Sequence, residues 1–166
     1  MKRALIVMVF LGISSLLSAE GYYAGRKASL SIEILRAMVN AITGTATVEF
    51  EFETPLADIL TIDAGMMYYS APAAGSYFQP SVGFNIYITD RALSGFWMGL
   101  KYAPMLMFGA SSSFSNTVQI SMGFKLILNN YDGVFLEPSF GLNWQIEKTS
   151  GQQAFPLFMF RVGYIF

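Results

Sequence analysis

Apolar and polar residues alternate along most of this chain with a period of two. Residues 117–128 read TVQISMGFKLIL, with a large apolar residue at every even position, and residues 136–147, LEPSFGLNWQIE, alternate in the same way. A period of two predicts strands with one apolar and one polar face. Segments of this kind run at about residues 28–35, 45–53, 59–69, 76–88, 95–108, 117–128, 136–147 and 156–166.

Short segments of turn-forming residues separate these eight predicted strands. TDRALSG at 89–95 and NNYDG at 129–133 fall on the same side of the strands as both chain ends. The segments SAPAAGS, GASSSFSN and EKTSGQQAF fall on the opposite side. The order of strands and turns predicts an all-β fold, an eight-stranded antiparallel up-and-down β-barrel.

The bulk of the two faces predicts which of them points outward. An eight-stranded barrel has an interior just wide enough for its own side chains. The apolar face is made of Leu, Ile, Phe, Val, Tyr and Trp, which are too large to share that space. The opposite face carries small residues on the last six strands, namely Gly65, Gly83, Gly99, Gly123, Gly141 and Gly163. We therefore expect a transmembrane barrel whose apolar face contacts lipid.

The first residues have the three parts of a secretory signal peptide. A basic start, MKR, precedes the apolar run ALIVMVFLGISSLL and the small-residue site at Ser18 and Ala19. The apolar run is shorter than the roughly 20 residues that a membrane-spanning helix needs. Residues 1–19 are predicted to be cleaved, which leaves residues 20–166 as a single domain. Without Lys2 and Arg3, eight basic residues face eleven acidic ones, a balance that argues against a nucleic-acid partner.

Composition narrows the chemistry that the chain can support. It contains no histidine and no cysteine, which removes the usual general base and the usual zinc ligands. Glu49, Glu51 and Glu53 share one strand face, where carboxylate catalysis and a charged lumen lining are the alternatives. The absence of other bases favours the lining. We expect no enzyme activity, no cofactor and no metal site.

The parity of a residue, its odd or even position along a strand, decides which face of the strand it lies on. By parity, a set of charged residues lies inside the barrel, and we call this set the luminal charge network. Its members are Glu33, Glu49, Glu51, Glu53, Asp63, Lys101, Lys125, Glu137, Glu147 and Arg161. Because a charge in a narrow lumen must be paired or hydrated, Arg161 is expected to meet Glu33 across the closing strands. Lys101 and Lys125 are expected to reach Glu51, Asp63 or Glu137. Such a network predicts a lumen without an open pore.

The same parity predicts an apolar group inside the outer half of the barrel, the apolar vestibule. Its members are Leu35, Met67, Tyr69, Tyr77, Met105, Met107, Leu157 and Met159. Methionine suits irregular apolar cavities. A packed hydrophobic plug and a vestibule for small hydrophobic molecules both fit this group.

The last strand carries a further signal. The chain ends in FMFRVGYIF, and its apolar positions are Phe158, Phe160, Val162, Tyr164 and Phe166. This ending resembles the signal by which bacterial outer-membrane barrels are recognised by the barrel-assembly machinery. With the signal peptide and eight alternating segments, the chain resembles the small eight-stranded outer-membrane barrels, the class that includes OmpX, the OmpA membrane domain and OmpW.

That resemblance implies the outer membrane of a diderm bacterium, both termini on the periplasmic side, and membrane lipid as a partner. The charge network resembles that of the OmpA membrane domain. The vestibule resembles the OmpW type, which implies passage of small hydrophobic molecules without a continuous aqueous pore. A non-conducting structural barrel, or an OmpX-like adhesin, is the alternative, and the short outer loops speak against the adhesin.

Two prolines stand inside predicted strands, where a closed barrel has no edge to receive them. Pro80 and Pro104 lie twelve residues on either side of Ala92, near the centre of the turn between their strands. They are therefore predicted to oppose each other and to face lipid. A pair of tolerated bulges is one interpretation, and a lateral seam through which a hydrophobic solute leaves the vestibule is the other.

Overall fold

The computed structural model describes residues 28–71, 75–88, 92–108, 113–128, 133–147 and 151–166. The predicted signal peptide lies outside these residues. The described part of the chain contains one helix, α1 (Leu35–Ile42), and nine strand segments. These are β1 (Ser29–Glu33), β2 (Ala46–Pro55), β3 (Leu60–Ala71), β4 (Gly75–Tyr87), β5 (Gly95–Tyr102), β6 (Met105–Phe108), β7 (Ser113–Ile127), β8 (Gly133–Glu147) and β9 (Gly151–Ile165).

The strands close into a barrel. Apart from β5 and β6, each segment pairs antiparallel with the next along the chain, and β1 also pairs with β9, with Ser29 opposite Ile165 and Glu33 opposite Arg161. Both β5 and β6 lie between β4 and β7, so they are two segments of one wall strand. The nine segments therefore form eight wall strands. The predicted all-β, eight-stranded antiparallel barrel is confirmed.

The two faces of the wall differ as the alternation predicts. In β7, Ile120 and Phe124 point outward and are exposed, whereas Gln119, Ser121 and Lys125 point into the lumen and are buried. The outward face is thus apolar and the lumen polar. This is the reverse of a soluble barrel.

The inner end of the barrel, where Ala28 and Phe166 lie, is filled by apolar side chains. Leu93, Phe135 and Ile165 form one buried cluster, and Tyr87 and Trp97 pack in a second. Leu93 has a left-handed backbone (φ 68°), which is rare for a bulky residue, yet its side chain is fully buried.

The first strand is shorter than the predicted segment 28–35. It ends at Glu33, and Leu35 begins helix α1. Apolar residues at Leu35, Met38, Val39 and Ile42 have the spacing of a helix face, a pattern that the period-two interpretation overlooked. The placement of Leu35 on a strand and in the apolar vestibule is therefore wrong, because it lies on the exposed helix surface. The described residues contain no helix long and apolar enough to cross a membrane.

Candidate functional site

Two lysines stand at the centre of the luminal charge network. The Lys101 Nζ donates to the Glu51 carboxylate and lies 3.1 Å from the Asp63 Oδ1. The Lys125 Nζ donates to the Glu53 carboxylate and lies 3.1 Å from the Glu137 Oε2. Each ammonium group therefore bridges carboxylates from two different strands, and the Lys125 side chain is only 1% exposed.

Arg161 joins three strands. Its Nη1 lies 2.8 Å from the Glu137 Oε1, and its Nη2 lies 3.0 Å from the Glu51 Oε2 and 3.7 Å from the Glu49 Oε1. The guanidinium group is a planar fork that suits several carboxylates at once. The predicted pairing of Arg161 with Glu33 is wrong, although their backbones lie opposite each other.

Glu33 has a different task, set by the change from strand to helix. If the strand continued, the Phe160 N–H would donate to the carbonyl of Ile34. That carbonyl instead accepts the N–H of Met38 in α1. The Glu33 Oε1 accepts the Phe160 N–H at 3.0 Å, and the Oε2 accepts the N–H of Arg36 at 2.7 Å. The carboxylate thus accepts one N–H group at the end of the β1–β9 ladder and one N–H group at the start of the helix.

Helix α1 adds a cation that the strand pattern did not predict. The Arg36 Nη1 lies 2.8 Å from the Glu49 Oε2. The helical spacing of the apolar residues 35, 38, 39 and 42 could have revealed it, since Arg36 and Asn40 fall on the other face. The side chain of Glu147 lies outside the described residues.

Neutral donors complete the surroundings of Glu53. Its carboxylate accepts hydrogen bonds from the Tyr87 hydroxyl (2.9 and 3.1 Å), the Asn85 Nδ2 (2.9 Å) and the Thr61 Oγ1 (2.5 Å). A buried carboxylate needs such partners because leaving it unpaired is expensive. Sequence reasoning missed these three residues, whose only signal was their inward parity.

A small cavity, partly open to solvent, lies outward of this cluster. Its lining is largely polar and includes Arg36, Glu49, Gln79, Lys101, Gln119 and Asn143. Of the predicted vestibule residues, Met67 also lines the cavity. The polar lining differs from the apolar space that the sequence predicts at this level.

The other predicted vestibule residues in the described part of the chain do not line this cavity. Tyr69 and Tyr77 stack with ring centroids 4.7 Å apart. Leu157 and Met159 are buried, and the Met159 sulfur lies 3.2 Å from the Arg161 Nη2. Met105 and Met107 on β6 are half-buried.

Pro80 and Pro104 lie opposite each other, between the pairs Phe78–Leu106 and Val82–Tyr102. On the same seam the Ile88 N–H donates to the Phe96 carbonyl (2.8 Å), whereas the Ala103 N–H turns to β7. Backbone groups alternate sides along a strand, so the even-numbered residues face this seam. The two prolines therefore occupy a hydrogen-bonded position, and two N–H donors are missing from one seam.

Inside the wall at this point, the Gln79 Nε2 donates to the Ala103 carbonyl at 3.0 Å. Gln79, Ser81, Lys101 and Ala103 also line the cavity. The proline pair thus lies directly outside the polar cavity, with one side-chain hydrogen bond across the weakened seam.

On the last strand, the residues of the C-terminal motif lie on the outer surface of the wall. Phe158, Tyr164 and Phe166 are exposed, and Phe160 and Val162 are half-buried.

Comparison with known proteins leaves the family open. No family model matches the sequence, and no curated protein matches it. Among solved structures, the chain is similar to the N-terminal β-barrel domain of OprF from Pseudomonas aeruginosa, with 12% identity and a TM-score of 0.49. The match covers 84% of this chain and 96% of that domain. The closed barrel is established by the strand pairing described above.

Proposed function

We propose that this protein is an integral outer-membrane β-barrel of a diderm bacterium, with a closed lumen, a non-enzymatic structural role and both termini in the periplasm. The apolar outward face carries the proposal, because every wall strand exposes large hydrophobic side chains. Examples, one from each strand, are Leu30, Phe50, Met66, Phe84, Leu100, Ile120, Phe140 and Phe158. An apolar surface that encircles a protein marks a membrane contact and not a soluble surface.

Two levels of packing support a lumen without a continuous pore. Leu93, Phe135 and Ile165 fill the inner end. The ion pairs of Lys125, Lys101 and Arg161 cross the level above. The cavity lies outward of them. The carboxylates of Glu49 and Glu51 are engaged by these cations, which favours a structural use of the carboxylates over catalysis.

The proposal is tested by reconstitution. The chain lacking residues 1–19 is refolded into phospholipid vesicles and planar bilayers. We expect it to resist extraction by alkaline carbonate and to give no steady conductance. Recovery as a soluble protein would refute the membrane location, whereas large stable channels would refute the closed lumen.

Passage of small hydrophobic molecules, as implied by the resemblance to OmpW, is the second candidate. The opposed prolines favour it, and the polar cavity behind them disfavours an apolar route. Replacing Pro80 and Pro104 with Val supplies two N–H donors and should slow uptake of small apolar compounds by vesicles. Equal uptake by the wild type, the double variant and barrel-free vesicles would leave the structural role alone.

A surface-interaction role receives less support. The outer connections between β3 and β4, β6 and β7, and β8 and β9 span residues 72–74, 109–112 and 148–150. Connections of this length provide little chain for a protruding adhesive surface.

Recognition by the barrel-assembly machinery is proposed for the C-terminal strand. Deleting Phe166 should reduce insertion in cells and leave the stability of the refolded barrel nearly unchanged. Normal cellular insertion of the truncated chain would contradict this assignment.

A further inference from the structure

Helix α1 exposes an apolar stripe that nothing in the described part of the chain covers. Leu35, Met38, Val39 and Ile42 lie on one face, and Met38 and Ile42 are 61% and 84% exposed. A helix on a soluble surface normally turns its apolar stripe toward the core and its polar face to water. Here the arrangement is reversed.

The opposite face of α1 is directed at the lumen. Arg36 contacts the inward-facing Glu49 on β2, and the Asn40 Nδ2 donates to the Thr47 Oγ1, which is buried inside the barrel. These two contacts fix the rotation of the helix. Its apolar stripe therefore points away from the lumen, in the direction in which the strands present their apolar residues.

The helix also stands where a wall strand is missing. Strand β1 ends at Glu33, opposite Arg161, while β9 continues outward for ten more residues, to Gly151. Over that length β9 pairs with β8, and α1 packs against both β9 and β2. Even-numbered residues of β9 turn their backbone toward the β1 side, as the Phe166–Ala28 and Ile34–Phe160 hydrogen bonds show. Pro156 is one of them, so one N–H is already absent from this edge.

Several backbone groups at the two ends of the helix are satisfied by the protein itself. The N–H of Arg36 is bound by the Glu33 carboxylate. At the other end, the carbonyls of Val39, Asn40 and Ala41 accept the N–H groups of Thr43, Thr45 and Gly44. A helix end in water can leave such groups to the solvent, whereas each unsatisfied backbone group in hydrocarbon costs several kcal/mol.

We infer that α1 completes the lipid-facing wall between β2 and β9, and that its apolar stripe contacts acyl chains of the outer leaflet. The inference rests on the proposed membrane location. Lipid is the occupant because the stripe contains no charged residue and continues the exposed apolar surface of its neighbours, Val48 on β2 and Phe158 on β9.

Single-cysteine spin labels test this inference, since the sequence has no cysteine of its own. The chain lacking residues 1–19 carries Met38→Cys or Ile42→Cys in phosphatidylcholine–phosphatidylglycerol vesicles. Leu100→Cys reports on the strand surface, and Asp58→Cys on an exposed inner turn. Collision of each label with oxygen and with a water-soluble nickel chelate is measured. The oxygen-to-nickel ratio at both helix positions should equal that at Leu100→Cys and exceed that at Asp58→Cys several-fold.

The outcomes separate the two proposals. If Leu100→Cys lies in lipid and the helix labels collide with nickel, the inference fails and the membrane location stands. If the helix labels collide with neither reagent, protein and not lipid covers the stripe, which also overturns the inference. If Leu100→Cys collides with nickel, the membrane location itself fails.

Discussion

The two halves of the lumen are built differently. In the inner half, Phe135 and Trp97 pack against the luminal glycines, and the β7–β8 ladder is broken for two residues beside Pro138, between the pairs Gly123–Ser139 and Leu126–Leu136. The outer half contains the cavity, and its wall is interrupted at two places. One is the proline pair between β4 and β6, and the other is the end of β1, where α1 replaces the strand.

This difference indicates where stability and adaptability lie. Buried ion pairs and tightly packed rings resist rearrangement, because removing any part leaves an unpaired charge or a void. A wall with missing hydrogen bonds and a partly open, polar cavity resists less. We therefore expect substitutions in the inner half to affect stability more than equivalent substitutions in the outer half.

Removing a cation from each half gives the largest expected difference. Lys125→Met keeps most of the side-chain volume but leaves Glu53 and Glu137 without their ammonium partner, so it should lower the free energy of unfolding by about 3–5 kcal/mol. Arg36→Met removes a cation whose side chain is 21% exposed, and should lower it by about 1 kcal/mol or less. Urea unfolding of both variants in detergent, followed by tryptophan fluorescence, measures the two losses. Equal losses would contradict the difference between the halves.

Adding a methyl group to a luminal glycine compares the packing of the halves. A Cβ on Gly163 would lie 2.4 Å from the Phe135 ring and 2.4 Å from the Leu30 carbonyl oxygen. Gly163→Ala should therefore destabilise by about 1–3 kcal/mol. The closest atom to a Cβ on Gly65 is the Ser81 hydroxyl, at 2.5 Å, which can rotate beside the cavity.

Gly65→Ala should consequently destabilise less than Gly163→Ala in the same unfolding experiment. The double variant Gly65→Ala/Ser81→Ala should recover much of whatever loss Gly65→Ala causes. A Gly65→Ala variant that is the less stable of the two would show that the outer half is packed as tightly as the inner.

A double-mutant cycle locates the partner of Arg161, at the boundary between the halves. Arg161→Met combined with Glu137→Gln should give a coupling energy of about 0.5–3 kcal/mol, because their side chains are 2.8 Å apart. The same cycle with Glu33→Gln should give a smaller value, since Glu33 is bound to backbone N–H groups. The reverse order would restore the pairing that strand parity suggested.

Period-two alternation was enough to predict the closed wall and its apolar exterior. In a closed antiparallel barrel, a residue's parity fixes the face on which it lies. Parity did not decide which charges pair. Glu33 and Arg161 are opposite on the backbone, but the Glu33 carboxylate accepts two backbone N–H groups instead. The N–H of Phe160 loses its ladder partner because the chain leaves the sheet at Ile34, and the N–H of Arg36 belongs to the first turn of α1.

The helix itself escaped prediction for a physical reason. It has eight residues, and the alternation of apolar residues in β1, at Leu30 and Ile32, continues to Ile34, one residue before the helix begins. The polar character of the cavity was not predicted for the same reason. On a strand, Arg36 would have pointed outward, and only the helix directs it to the lumen. Gln79 and Gln119 were available from their inward parity, but the neighbouring methionines dominated the interpretation of that level.

The smallest expected effect concerns the proline seam in the outer half. Replacing Pro80 and Pro104 with Val supplies two N–H groups that point across the same seam, each able to contribute about 0.5–1.5 kcal/mol. The loss of two rigid prolines increases the entropy of the unfolded chain and offsets about 0.4–1 kcal/mol for each. We expect a net gain in the free energy of unfolding of about 1 kcal/mol or less.

Pro156→Val is the matched control, because it removes a proline without a strand partner to receive the new N–H. Pro156 turns its backbone toward the side where β1 has ended and α1 stands. This variant should lose at least about 0.4–1 kcal/mol through the entropy of the unfolded chain, and more because the new N–H has no partner, in the same urea titration, while the double variant gains. If all three prolines respond alike, the seam between β4 and β6 is no weaker than the rest of the wall, and the contrast between the halves then depends on the cavity and on helix α1.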